Sequence, residues 1–166
     1  MVTRRRVLAA LGLVALAVAI WYVLPSRERQ VKRQIKALSS WAAKTGEEGA
    51  LASAQAARDA RDFFADSCEW DAEAYNLSGR VSVDDITRYD FAARSRFTRL
   101  RLTFYDVAVD FDPEGEALVT ATARIEADPR DGGDTANETH EVRCTMVKMD
   151  GRWLINAVTV VAVLKK

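Results

Sequence analysis

The 166-residue sequence has one histidine and two cysteines. That scarcity excludes a multi-ligand zinc site, which draws its ligands mainly from these two residue types. Internal repeats and low-complexity segments are also missing, so nothing points to a repeat array or a disordered tract. Acids are nearly missing from the front: up to Lys44 there are nine Lys/Arg and a single acid, Glu28. From Thr45 onward, fifteen Lys/Arg meet twenty-three Asp/Glu, a balance of −8 hidden beneath a formal net charge of zero. An acidic body argues against nucleic acid as a partner, because phosphate binding needs a basic face. What the chain does have is apolar material, 49% of its residues, enough for one domain with a real core plus a short appendage.

The clearest local signal is the last stretch. Asp150-Gly151 reads as a hairpin turn, since both positions tolerate φ > 0. The run Arg152 to Leu164 that follows is apolar at nearly every position. A strand apolar on both faces is covered on both, and so belongs near the middle of a sheet. Trp153 is expected in the core on the face of Ile155, Ala157 and Val161, with Leu154, Val158, Val160 and Leu164 on the other.

The front end carries a second signal. Residues 1–25 form an appendage, and 26–166 the domain. After Arg4, Arg5 and Arg6, Val7 to Leu24 is eighteen residues without a charge, closing at Pro25. That length is at the low end for a transmembrane helix, and Trp21 and Tyr22 suit an interfacial aromatic belt. The alternative is a cleaved signal peptide with Ala17-Val18-Ala19 as its cleavage site. The anchor is preferred because the apolar run continues past Ala19. The basic tail ahead of it places the N-terminus in the cytoplasm and the body outside, periplasmic or otherwise extracytoplasmic, although Arg27, Arg29, Lys32, Arg33 and Lys36 pull the other way.

Helical spacing of Val31, Ile35 and Leu38 predicts a helix from Ser26 to Lys44. Its basic face suits either anionic headgroups or plain solvent. A second helix is expected from about Glu48 to Ala65, with Leu51, Ala54, Ala57 and Phe64 facing inward. Cys68 to Tyr75 and Arg80 to Ser82 read as strands. Ser82-Val83-Asp84-Asp85 has the form of a capping box opening a helix to about Phe97. Then come long alternating strands: Arg99 to Phe111, Glu116 to Ala127, and Asn137 to Met149. In the first, the apolar set moves from Leu100, Leu102 and Phe104 to Val107, Val109 and Phe111. That phase change predicts a β-bulge at Tyr105-Asp106. Helices first and an antiparallel meander last is an α+β pattern.

This order resembles the nuclear transport factor 2-like superfamily over roughly Arg27 to Leu164. The strand near Cys68-Glu69-Trp70, the phrase Gly79-Arg80-Val81-Ser82-Val83-Asp84-Asp85-Ile86 and the closing hairpin Asp150-Gly151-Arg152-Trp153 carry the likeness. The resemblance implies a cone, a curved and mainly antiparallel sheet wrapped around helices and a cavity, here behind an N-terminal transmembrane helix. Its relatives include ketosteroid isomerases, dehydratases, polyketide cyclases, transport adaptors and membrane-tethered assembly factors. The isomerase class has a Tyr on its first helix, where this chain has only Trp41 as an aromatic. The cyclase class often uses a His–Asp pair, but His140 reads as a solvated strand-end residue.

On the elements that line such a cavity fall Tyr75, Tyr89, Asp90 and Arg94. They form either a polar ligand site or rim tyrosines beside an i,i+4 surface pair. Cys68 and Cys144 are either two free thiols or, in an oxidising compartment, a disulfide. No cofactor, metal or catalytic set is expected. The reading is therefore a membrane-anchored, non-catalytic domain. It would act as a homodimer or with an envelope protein through the sheet face the helices leave open. The alternative is a small-molecule binder, or an isomerase- or dehydratase-like enzyme, using the cavity.

Overall fold

A computed structural model describes residues 26–72 and 77–163. The transmembrane helix expected over 7–24, its orientation, and Tyr75 lie outside the described residues. Among those described, no helix is long and apolar enough to cross a membrane.

Helix α1 (Arg27–Ala42) starts at Ser26, whose Oγ accepts the Arg29 N–H. It buries Val31, Ile35 and Leu38, the stripe expected from their spacing. A two-residue strand β1 (Lys44–Thr45) follows, then α2 (Ala50–Arg58) and a 3₁₀ turn (Asp59–Asp62). The strands β2 (Phe64–Ala72) and β3 (Leu77–Ser82) lead into α3 (Val83–Arg96). Ser82 and Asp85 close the expected capping box, each side chain bonded to the other's backbone N–H. The meander is β4 (Phe97–Phe111), β5 (Ala117–Pro129), β6 (Ala136–Met149) and β7 (Arg152–Val163). All strands join one sheet in the order β1-β4-β5-β6-β7-β2-β3. The β2–β7 pair is parallel and the others are antiparallel. As expected, β7 is an interior strand.

Bulges bend this sheet. In β4 the register shifts between Tyr105 and Ala108, and Asp106 takes φ 53°, a left-handed conformation that Asp tolerates better than most residues. In β7 the pairing leaves Asn156 and Val161 without partners on β6. The bulge at Asn156 corrects the expected faces. Trp153 and Ile155 are buried as expected, but beyond Asn156 the inward positions pass to Val158 and Val160, while Val161 is exposed.

Two further corrections concern packing. Helix α2 ends at Arg58 rather than Ala65, and its inner residues are Ser53 and Ala57, while Leu51 is 86% exposed. Tertiary contacts override the helical propensity of the alanine run: Phe63 and Phe64 pack on Trp41, at 5.3 and 6.1 Å between ring centroids. The Phe63 carbonyl also accepts the Ile155 N–H at 2.8 Å. His140 is not a solvated strand end. It is 2% exposed, lies opposite Ala123 and Val163 in the ladder, and meets Glu138 through Nε2 at 3.1 Å. Its replacement by Ala is therefore a core substitution, not a neutral surface one.

One end of the core is filled. Arg27 lies over the Phe111 ring, 4.4 Å from its centroid, and near Trp153. It donates from Nη2 to the Gly115 carbonyl at 2.5 Å. Met146, Ala117 and Trp153 are buried at the same end.

Candidate functional site

Beyond that filled end the inner face of the sheet stands away from the helices and leaves a cavity of about 400 Å³. Helix α1 supplies Ile35, Leu38 and Trp41, while α3 supplies Ile86, Tyr89, Asp90 and Ala93. The sheet contributes Leu102, Phe104, Val119, Ala121, Ala123, Val142, Cys144, Val158 and Val160. Small residues make the room: Ala121 and Ala123 occupy inward positions of β5. Tyr89 and Ile125 line the cavity yet remain well exposed, which places them at its mouth.

Asp90 is the one charged residue in this lining among the described residues, and its side chain is 11% exposed. Arg94 does not line the cavity; it lies buried behind Asp90. Its Nε donates to Asp90 Oδ2 at 2.8 Å and its Nη1 to Glu48 at 3.2 Å, while Nη2 donates to the Trp41 carbonyl. Lys44 is buried beside it. Its ammonium donates to the Arg94 carbonyl and, at 2.8 Å, to the Phe97 carbonyl, satisfying the C-terminal end of α3. Lys44, Arg94, Glu48 and Asp90 thus form a charge-balanced plug where α1, β1 and α3 meet. Burial pushes the Asp90 carboxyl above the usual carboxylate range. The Arg94 guanidinium opposes that shift and the Glu48 charge adds to it.

Of the four residues expected from the sequence, Tyr89, Asp90 and Arg94 are on one helix. Tyr89 stands at the mouth, Asp90 in the wall and Arg94 behind it. The Asp90–Arg94 i,i+4 pair, one of the two readings, is present but buried rather than at the surface, and the wall around it is apolar. Sequence reasoning missed Lys44 and Glu48: a lysine closing one expected helix and a glutamate opening the next look like solvated helix-end residues.

The two thiols are free. Cys68 is on β2 and Cys144 on β6, with β7 between them, roughly 10 Å apart across two strand spacings. That is beyond the reach of a disulfide. Burial pushes the Cys68 thiol up to about 11, with the neighbouring Trp70 acting the other way. Burial pushes Cys144 up to about 12, with a further contribution from Cys68. Such thiols are poor nucleophiles at neutral pH. No cluster of three or more possible metal-ligating side chains occurs among the described residues.

Solved structures with the same arrangement decide the fold. A candidate scytalone dehydratase from Novosphingobium aromaticivorans superposes with a TM-score of 0.68 at 16% identity, over 83% of this chain and 84% of that one. The Kfla4162 protein from Kribbella flavida gives 0.69 at 15% identity, over 83% and 90%. A nuclear transport factor 2-like superfamily protein from Salmonella enterica gives 0.53 at 18%, over 66% and 78%. The fold is the nuclear transport factor 2-like cone. Identities this low carry the fold alone. No protein-family model and no curated protein matches the chain. In cone terms, Arg27, Phe111 and Trp153 close the narrow end, and the cavity occupies the wide end under α3.

Proposed function

We propose that this chain is a small-molecule-binding cone, held at a membrane through residues 7–24 with its body outside the cytoplasm. Its ligand is a compact, largely apolar molecule. The observation that carries the reading is the cavity: about 400 Å³, walled by aliphatic and aromatic side chains, with a single carboxylate in its wall among the described residues. Pockets of this size and character are the usual seats of small ligands. The apolar run and the basic flank of α1 support the tether. A neighbour named as a candidate scytalone dehydratase keeps dehydration in view as a reaction, in which Asp90 would be the acid–base group, because burial tunes its proton affinity as such chemistry requires.

The test uses tryptophan fluorescence, because Trp41 and Trp70 both line the cavity. Titration with the neutral dye N-phenyl-1-naphthylamine should give saturable energy transfer from tryptophan. Ala121→Phe, which fills the cavity, should abolish it. Equal transfer from that variant would place the dye elsewhere and remove the reading.

A second reading, a homodimer or an envelope-protein complex through the outer sheet face, is favoured by one observation. Leu118 and Val161 are large, apolar and well exposed, 45% and 40%, on the strands β5 and β7. Sedimentation of the chain at micromolar concentration tests it, and a monomer across that range would remove the homodimer.

A further inference from the structure

Among the described residues, the cavity wall carries one charged group, Asp90. Resting on the binding reading above, we infer that the ligand is a neutral alcohol or phenol, an apolar body whose one hydroxyl donates to Asp90. Asp90 uses Oδ2 to accept from Arg94 Nε, and no other hydrogen bond to its carboxylate is formed among the described residues. A carboxylate has about four lone-pair sites, so Asp90 retains acceptor capacity toward the cavity it lines.

Among the described residues, an anionic ligand finds no counter-charge. Arg94 spends its guanidinium on Asp90, Glu48 and the Trp41 carbonyl. Lys44 is committed to two backbone carbonyls. His140, next along the inner face from Ala123, meets Glu138. Trp70 lines the cavity with a buried Nε1–H whose neighbour among the described residues is the Cys68 thiol, a weak acceptor. It is a neutral donor, suited to an uncharged oxygen and unable to compensate a full negative charge. A cationic ligand fares little better. Lys44 and Arg94 balance Glu48 and Asp90, so the plug holds no surplus negative charge, and a desolvated ammonium would face a carboxylate already paired. A neutral hydroxyl gains the Asp90 hydrogen bond without importing a charge.

The experiment holds the body of the ligand fixed and varies its polar group. The full chain, kept in solution with amphipol and referenced to amphipol alone, is titrated calorimetrically with five probes. These are 2-methylnaphthalene, 2-methoxynaphthalene, 2-naphthol, 2-naphthoate and 2-naphthylmethylammonium. Expected is 2-naphthol binding about tenfold tighter than the methyl and methoxy compounds, with both ions weaker than 2-naphthol. Asp90→Asn keeps an oxygen for Arg94 and turns an amide N–H toward the cavity, so the preference of 2-naphthol over 2-methoxynaphthalene should be lost. Equal binding of 2-naphthol and 2-methylnaphthalene, tightest binding by either ion, or an unchanged preference in Asp90→Asn would overturn the inference while leaving the cavity reading intact. Failure of every probe to bind, or binding undiminished by Ala121→Phe, would instead overturn the cavity reading itself.

Discussion

The two ends of the cone are made by the same strands and differ in side-chain size. At the narrow end, Phe111 and Trp153 face each other at 5.9 Å between centroids, and Arg27 lies over both. At the wide end, the inward positions of β5 are Ala121 and Ala123, and the gap beneath the helices stays open. The difference separates two tasks. The narrow end spends its apolar bulk on cohesion, and the wide end gives up cohesion for volume, held open by a charge-balanced plug instead of a packed one.

The sharpest way to break this contrast is at the narrow end. Trp153→Ala should cost about 3–5 kcal/mol, the penalty for emptying a large buried aromatic site, read as a fall in the urea midpoint of the body from Ser26. An unchanged midpoint would mean that the narrow end is not where the cohesion lies. At the plug, Arg94→Met removes the group that joins two carboxylates. A loss of about 3 kcal/mol is expected, because Asp90 is left buried and unpaired while Glu48 is partly solvated. Most of that loss should return in an Asp90→Leu/Arg94→Met double variant, and a double variant that is worse than the single one would contradict the pairing.

The thiols give a smaller, pH-resolved effect. Below their ordinary value of 9.0 both are protonated whether the chain is folded or not. Between 9 and about 11 the unfolded chain releases their protons while the folded chain keeps them. The folded state thus loses stability as pH rises through this window, by about 1.4 kcal/mol per pH unit for each thiol. A Cys68→Ala/Cys144→Ala variant should show a shallower alkaline limb in its denaturation midpoints, and parallel limbs would place the thiols in water. The smallest effect belongs to the cavity wall. Ala121→Leu adds bulk into open space, so stability should move by less than about 1 kcal/mol, where overpacking of a filled core typically costs 1–3 kcal/mol. A large loss would mean that the wide end is packed after all.

How much of this was readable in advance depended on contrast within the sequence. The bulge in β4 was visible because Leu100, Leu102 and Phe104 give way to Val107, Val109 and Phe111, a shift of phase against polar neighbours. The bulge at Asn156 was not, because β7 is apolar on both faces and a shift between two apolar sets leaves no trace. The Asp90–Arg94 spacing was legible as a pair, but its burial was not. That burial depends on Glu48 and Lys44 arriving from 46 and 50 residues away, a tertiary fact with no local pattern. The end of α2 was hidden similarly: its alanines favour helix, and only the distant ring of Trp41 and the Ile155 amide draw Phe63 and Phe64 out of it. His140 shows the limit of reading polarity as exposure.

The stacking of Arg27 on Phe111 and Trp153 also fixes where the mouth lies relative to the start of α1. It fixes the start of α1 at the closed end, and the first cavity residue on that helix, Ile35, lies eight residues further on, roughly 12 Å along the axis. For a chain tethered just ahead of Arg27, the mouth at Tyr89 and Ile125 is then held off the bilayer. On the tethered binding reading proposed above, cargo would be exchanged through water, and a molecule too insoluble to leave the hydrocarbon would never reach the door. Such a tether would act as a solubility filter placed ahead of any selection by the cavity.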